Sequence, residues 1–151
     1  MWFGSVSMLV GDPSTSPSRK YFSIGYYVEH PSSLGFVHIR HGADPTVPPE
    51  FETGFLREVD DLALLKWGYK RCREYARRMP CYRGEYVPSH PQFAPGSAAQ
   101  CRGEVRPVDA GAPDIVYTEE DEKAIDEYTR KFGKLGRVAI VSWRKADQGA
   151  T

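Results

Sequence analysis

The placement of its prolines constrains this chain more than any other feature. Six of the 12 prolines lie between residues 80 and 117, where they remove backbone donors and hold the preceding residues out of the helical conformation. Tyr82, Tyr86 and Phe93 lie among them. The segment is therefore expected to be a long proline-rich loop on the surface, one that is functional or covers a partner or an active-site entrance.

The residues before this loop predict strands. Every second residue from 22 to 28 is apolar, which is the period of a sheet with one buried face. A turn-forming run at 30–35 leads to a second alternating segment at 36–40, so the two segments are expected to form an antiparallel hairpin. Residues 6–10 are a plausible third strand. Residues 42–52 include two adjacent prolines and are expected to be irregular.

Two amphipathic helices are predicted on either side of the loop. Apolar residues recur at intervals of three and four across residues 60–79, and Pro80 ends this helix. Its stripe consists of Leu62, Leu65, Tyr69, Cys72, Ala76 and Met79. The second helix follows Thr118 as N-cap, with Asp121 three residues later, and buries Ile125, Tyr128 and Phe132. With a further strand at 138–141, the fold class is α+β: an antiparallel sheet with two main helices packed on it.

Composition narrows the function. The 151 residues suffice for one ordinary domain, and 20 basic residues balance 20 acidic ones. A chain without net charge lacks the long-range field of a nucleic-acid or anionic-membrane binder, so we expect neither partner. No window approaches the roughly 20 apolar residues of a membrane span. The widely spaced Cys72, Cys81 and Cys101 are expected to be free thiols.

The residues that carry chemistry elsewhere do not form a recognisable active site here. His38 and His41 fall on opposite faces of a strand, which is a poor arrangement for joint metal ligands. The acidic residues Asp60, Asp61 and 119–122 lie where helix N-termini favour negative charge. Phosphate-binding glycine loops, nucleophile elbows and zinc-protease motifs are absent. We therefore assign no catalytic, cofactor-binding or metal-binding residue, and the substrate-binding residues stay unknown.

Charge is nevertheless segregated along the chain. Residues 66–83 hold seven bases and one acid, whereas residues 114–127 hold seven acids and one base. The basic segment includes aromatic residues, a composition also found on nucleic-acid surfaces, but we favour a structural role. The two segments are expected to face each other or the surface of a larger body.

Four segments, in order, carry a resemblance. They are FSIGYYVEHPSSLGFVHI, PPEFETGFL, DLALLKWGYKRCREYARRMPCYRGEYVPSHPQF and PDIVYTEEDEKAIDEYTRKF. Together they resemble the C-terminal, substrate-side domain of fungal alcohol oxidases, which are glucose-methanol-choline (GMC) oxidoreductases. The resemblance indicates a partial GMC C-terminal domain over residues 1–132 and a tail outside the family over residues 133–151.

The resemblance implies a FAD flavoenzyme. In such enzymes a Rossmann-type domain holds FAD, and the C-terminal domain roofs the flavin and shapes the alcohol pocket. A primary alcohol and oxygen become an aldehyde and hydrogen peroxide, with the cofactor carrying the hydride chemistry. The expected partners are the missing FAD-binding domain or a full-length oxidase, together with a small alcohol substrate in the intact enzyme.

The departures from the family pattern indicate that this chain is inactive alone. The family's FAD fingerprint and its segments with a catalytic histidine and asparagine are missing, and the last histidine is His90. We therefore expect an inactive fragment that holds no FAD. Residues 133–151 are hypothesised to come from another reading frame or a retained intron. The alternative is a non-catalytic module that associates with a full-length oxidase. Relatives are peroxisomal or secreted, but the terminal Gly-Ala-Thr is no peroxisomal address, so the compartment stays open.

Overall fold

The computed structural model describes residues 2–6, 20–102, 105–132 and 139–143. Its strands are β1 (Trp2–Val6), β2 (Lys20–Tyr27), β3 (Phe36–His38), β4 (Glu50–Glu52) and β5 (Ala139–Trp143). Its helices are α1 (Val59–Arg78) and α2 (Glu119–Phe132), with a short 3-10 helix at Val87–Ser89. This is the α+β class expected from the sequence. None of the described helices is long and apolar enough to cross a membrane.

The described strands form two separate sheets. One has the order β1-β2-β5 and the other pairs β3 with β4, with every pairing antiparallel. The predicted hairpin between residues 22–28 and 36–40 is therefore wrong. Strand β2 is hydrogen-bonded to β1 on one side and β5 on the other, so it has no edge left for β3.

Three further strand predictions have different outcomes. The prediction that residues 42–52 are irregular is wrong for the last three of them, because Glu50–Glu52 forms β4. Pro48 and Pro49 precede that strand, so its ladder loses no donor. Strand β1, at Trp2–Val6, includes the first residue of the strand expected at 6–10, and residues 7–10 fall outside the described residues. The strand expected at 138–141 is confirmed as β5 and adds an edge to β2.

The core lies between β2 and the two helices. Ile24 and Tyr26 of β2 pack with Tyr69 and Cys72 of α1 and with Ile125 of α2. Of the predicted α1 stripe, Leu62, Tyr69, Cys72 and Ala76 are fully buried, and Leu65 and Met79 pack against the core from its edge. The period of 3.6 residues thus identified the buried faces, because both helices bury one side against the sheet.

The start of α2 is fixed by a reciprocal cap. The Asp121 amide donates to Thr118 Oγ1 at 3.2 Å, and the Thr118 amide donates to Asp121 Oδ2 at 2.9 Å. The Ser97 hydroxyl donates to the same carboxylate at 2.8 Å, which ties the proline-rich loop to the helix. Burial alone would raise the Asp121 pKa, but hydrogen bonds from the Thr118 amide, the Ser97 hydroxyl and the Thr118 side chain hold it below its ordinary value. The predicted N-cap is confirmed.

The proline-rich segment is only in part the surface loop that its composition predicted. Between residues 82 and 99 many side chains are buried, including Tyr82, Tyr86, Ser89, His90 and Ala99. Tyr82 joins the core formed by β2 and the two helices. The prolines prevent long regular elements but not burial, because aromatic rings and paired polar groups fill the space beside α1.

Candidate functional site

A group of polar side chains lies buried between α1 and the proline-rich loop. We call it the Arg73 cluster. Its members are Tyr69 and Arg73 from α1, Glu85, His90 and Cys101 from the loop, and Tyr117 just before α2. Helix α1 places Tyr69 and Arg73 one turn apart on the face that meets the loop. The cluster joins buried titratable side chains whose pKa values are shifted by burial and by one another, and it is therefore the candidate site.

The centre of the cluster is an ion pair. Arg73 Nε donates to Glu85 Oε1 at 2.6 Å and Arg73 Nη2 donates to Glu85 Oε2 at 2.8 Å. Only 3% of Arg73 and 6% of Glu85 are exposed. Arg73 Nη1 also donates to the Tyr117 hydroxyl at 3.2 Å, and the guanidinium lies 5.3 Å from the Phe93 ring centroid. The Arg73 guanidinium thus forms hydrogen bonds with two residues and also contacts an aromatic ring.

Electrostatics keep both members of this pair charged. Burial alone would raise the Glu85 pKa, but the charges of His90 and Arg73 and the hydrogen bonds from Arg73 hold it below its ordinary value. Burial likewise disfavours the charged guanidinium, yet the Tyr69 hydroxyl and the Glu85 carboxylate beside it raise the Arg73 pKa. Arg73 and Glu85 are therefore two buried charges that compensate each other in the folded protein.

His90 is held in the same network. Its Nδ1 lies 2.9 Å from the Tyr69 hydroxyl, and the two rings meet edge-on with centroids 5.9 Å apart. The Tyr128 hydroxyl donates to the backbone oxygen of Ser89 at 2.6 Å, which fixes the loop next to the histidine. Burial raises the Tyr69 pKa well above its ordinary value, so this hydroxyl stays protonated.

Three members of the cluster are metal-ligand types. Candidate ligand atoms of Glu85, His90 and Cys101 lie within 4.8 Å of one another. Both Glu85 oxygens, however, accept from Arg73, and the guanidinium places a positive charge where a cation would bind. Burial, reinforced by the Glu85 charge, raises the Cys101 pKa, so a thiolate ligand is disfavoured. The arrangement fits an ion pair better than a metal centre.

The candidates named from the sequence lie elsewhere. His38 is on β3 and His41 follows that strand, and both residues are exposed. Asp61 accepts hydrogen bonds from the Ser32 and Ser33 amides at 2.8 Å each, which confirms a structural role for it. Asp60 is exposed at the start of α1. The structure therefore does not bring these groups together into one site.

The segregated charges do meet, as the sequence predicted. Lys66 Nζ lies 3.1 Å from Glu122 and 2.7 Å from Asp126, and Lys70 pairs with the same Glu122. Asp114, in the segment before α2, forms ion pairs with Arg71 and Arg78. Its carboxylate oxygens lie 2.9 Å from Arg71 Nη2 and 2.8 Å from Arg78 Nη2. The basic face of α1 is thus covered by acids from α2 and from the segment before it.

The described residues do not fit a FAD cradle. A dinucleotide pyrophosphate is held by a glycine-rich turn between a parallel strand and a helix N-terminus. All described strand pairs are antiparallel. The first turns of both helices are acidic, with Asp60 and Asp61 in α1 and residues 119–122 in α2, and they would repel the pyrophosphate.

Comparison with known proteins identifies the family. Residues 31–139 match the C-terminal domain model of the GMC oxidoreductases. The chain belongs to the GMC oxidoreductase family, and the resemblance read from the sequence is confirmed.

Relatives within the family are alcohol oxidases. The chain is 30% identical over 169 residues to alcohol oxidase 1 of Komagataella phaffii and 31% identical to the alcohol oxidase of Pichia angusta. Each alignment covers 87% of this chain and 25% of the relative. The alcohol oxidase of Candida boidinii is 35% identical over 100 residues, which cover 66% of this chain and 15% of that protein. The chain thus spans about a quarter of the length of the first two relatives.

Proposed function

We propose that this chain is the substrate-side part of a FAD-dependent alcohol oxidase and that it is inactive without the rest of that enzyme. The observation that carries the proposal is the alignment of 87% of the chain with one quarter of two alcohol oxidases. The assembled enzyme would convert a primary alcohol and oxygen to an aldehyde and hydrogen peroxide. FAD would accept the hydride there, as the resemblance implies.

The contribution of this chain is structural in the proposal. A catalytic base must stand within hydrogen-bond reach of the alcohol hydroxyl. In the Arg73 cluster, the Glu85 carboxylate is engaged by Arg73 and His90 Nδ1 is engaged by Tyr69, both in buried positions. Neither group is placed to accept a proton from an incoming alcohol. The cluster instead supports the domain by fastening the loop to α1.

Flavin uptake and peroxide formation test the proposal. The purified 151-residue chain, mixed with FAD and a primary alcohol, is expected to show no bound-flavin absorbance and no peroxide. Co-expression with a Komagataella phaffii alcohol oxidase 1 that lacks the matching quarter is expected to restore both signals. Flavin bound tightly by the chain alone, or failure to restore the truncated oxidase, would contradict the proposal.

The second candidate is a non-catalytic module that associates with a full-length oxidase. The paired charges of the Arg73 cluster favour a non-catalytic role in this case too. Such a module would co-purify with the intact oxidase and change its activity or oligomeric state. It would not restore an oxidase from which the matching quarter has been removed, so the co-expression experiment separates the two candidates.

We also propose that the family domain ends near Phe132 and that residues 133–151 are a tail that comes from another reading frame or a retained intron. The family match includes the first seven residues of this tail, 133–139, and β5 at Ala139–Trp143 pairs with β2. A strand can add to an edge through backbone hydrogen bonds with little demand on its sequence. Comparison of the genomic sequence around codon 132 with transcripts tests the proposal, and a spliced message that encodes this same tail would refute it.

A further inference from the structure

The second sheet exposes apolar side chains on a hairpin. This segment, which we call the β3–β4 hairpin, runs from residue 34 to residue 55. The exposed fraction is 79% for Leu34, 61% for Val37, 84% for Ile39, 65% for Phe51 and 60% for Phe55. Single exposed apolar residues are ordinary, but a concentration of them on one short element marks an interaction surface.

The hairpin has a defined apolar face. Val37 lies directly opposite Phe51 in the register, so the two side chains share one face. The flanking pairs Phe36 with Glu52 and His38 with Glu50 put charge on the other face. A groove of about 360 Å³ opens beside Val37 and Phe51 and is also lined by Phe55.

The described residues leave strands β3 and β4 largely uncovered. All six residues of the two strands are exposed except Glu52, which is partly exposed. An isolated two-stranded sheet is marginally stable in water, because it buries too little apolar surface. The hairpin is therefore expected to gain stability when another surface packs against it.

The root of the hairpin is nonetheless built in one conformation. A Cβ on Gly35 would stand 2.3 Å from the Glu52 oxygen, and one on Gly54 would stand 2.1 Å from the Leu34 oxygen. Gly54 also has a φ of 62°, which favours glycine. Only glycine permits the two segments of the backbone to approach this closely. The root of the hairpin therefore has a defined conformation.

Hydrogen bonds fix this root to the first turn of α1. The Asp61 carboxylate accepts hydrogen bonds from the Ser32 and Ser33 amides. The Ser33 hydroxyl oxygen in turn accepts a hydrogen bond from the Glu58 amide at 3.0 Å. A hydrogen bond from the Ser33 side chain, followed by those from the Ser32 and Ser33 amides, lowers the Asp61 pKa, although burial would raise it. The exposed face is therefore held at a set position relative to the core.

We propose that the apolar face of the β3–β4 hairpin is the docking surface for the remainder of an alcohol oxidase polypeptide, whether joined to this chain or separate. The inference rests on the proposed function. The family match begins at residue 31 and so includes the whole hairpin. In the first two relatives this domain accompanies about three times its own length of further polypeptide, since it spans 25% of each. We expect that further polypeptide to cover the hairpin, which the described residues of this chain leave exposed.

The test places charge on the proposed contact. The full chain carrying Val37→Lys and Phe51→Lys is co-expressed with Komagataella phaffii alcohol oxidase 1 that lacks the matching quarter. Both positions are exposed, so the variant is expected to keep the wild-type circular dichroism spectrum. Two lysines in a desolvated apolar contact are expected to weaken association by about 100-fold or more. Val116→Lys, at a 75% exposed position outside the hairpin, is the matched control and should bind like wild type.

Hydrogen exchange provides a readout that requires no variant. Amides of residues 36–38 and 50–52 in the wild-type chain are expected to exchange more slowly in the complex than in the free chain. Loss of binding in the double lysine variant together with this protection supports the inference. Wild-type binding by the double variant, or unchanged hairpin exchange in the complex, overturns it.

Other outcomes separate the two proposals. A protected hairpin without peroxide formation would retain the docking surface and contradict the proposed function. Peroxide formation with an unprotected hairpin would do the reverse. No association at all, or protection arising in a dimer of this chain alone at the same concentration, would overturn the docking inference, because the occupant would then be absent or a second copy.

Discussion

Replacement of Glu85 by glutamine tests the central claim about the Arg73 cluster. Glutamine keeps the shape of the side chain but removes the charge that Arg73 meets at 2.6 and 2.8 Å. With 3% and 6% of the two residues exposed, water cannot replace the lost charge. Removing one partner of a buried ion pair costs about 3–5 kcal/mol, and the retained amide oxygen puts Glu85→Gln near the lower value, about 3 kcal/mol.

Urea unfolding followed by circular dichroism measures this change. With a slope of about 2 kcal/mol per M, a loss of about 3 kcal/mol lowers the unfolding midpoint by about 1.5 M. Glu52→Gln is the matched control, since Glu52 pairs with Arg57 on the surface, where their side chains are 43% and 58% exposed. That substitution is expected to cost less than about 1 kcal/mol.

A double replacement distinguishes the cost of leaving one buried charge uncompensated from the cost of lost packing. The variant with Arg73→Met and Glu85→Leu removes both charges and leaves no uncompensated ion. It is expected to be considerably more stable than the sum of the two single changes predicts. If Glu85→Gln cost no more than Glu52→Gln, or if the double replacement cost the sum of the single ones, the assignment of a buried, compensated pair would be refuted.

Four further outcomes follow from the structure. The folded Glu85 pKa lies below its ordinary value, so its stabilisation is complete above about pH 4.3 and is lost as pH falls through the folded pKa; acid titrations should therefore show a flatter curve for Glu85→Gln than for wild type. Asp61→Asn is expected to speed hydrogen exchange at the Ser32 and Ser33 amides without altering exchange in α2, and unchanged rates would contradict the anchoring role of Asp61. Gly54→Ala should destabilise the hairpin by at least about 1 kcal/mol, because alanine is strained at a φ of 62°, and wild-type exchange in β3 and β4 would contradict this. Cys72 is fully buried with a pKa raised to about 12, so a thiol reagent should label partly exposed Cys81 first and Cys72 only on unfolding; equal rates would oppose this.

The two candidate functions make different demands on the hairpin. A part of an oxidase keeps the β3–β4 hairpin buried against the rest of its own enzyme. A separate module that joins an intact oxidase would need a second surface, because the intact oxidase already supplies its own copy of this domain. The exposed Val37 and Phe51 therefore favour the first candidate.

The candidate site was the least predictable part of the molecule. Arg73 lay in a basic run that the sequence expected to face the acidic segment or the surface of a larger body, and Glu85 and His90 lay in a segment expected to be a surface loop. No short motif joins them, because their contact depends on how residues 82–102 fold back onto α1. A signal was present only in retrospect: an isolated acid and a histidine among aromatic residues indicate a polar group that needs a buried partner.

The strand pairing shows a similar limit. Alternating apolar residues located β2 and β3, but these two strands, although they follow each other in the chain, did not pair. The two edges of β2 were taken by β1 and by β5 from the far end of the described chain. Such long-range pairing depends on which edges remain available after packing, and a local pattern carries no record of it.

The sequence by itself determined the two helices, their buried faces, the cap of α2 and the family, because each depends on residue spacing or on an ordered run of motifs. Only the tertiary structure decided which strands share a sheet, that residues such as Tyr82, Tyr86 and His90 of the proline-rich segment are buried, and that Arg73 meets Glu85. Those features arise from contacts between residues distant in sequence. Their free energies depend on burial and on partners, which exist only once the chain has folded.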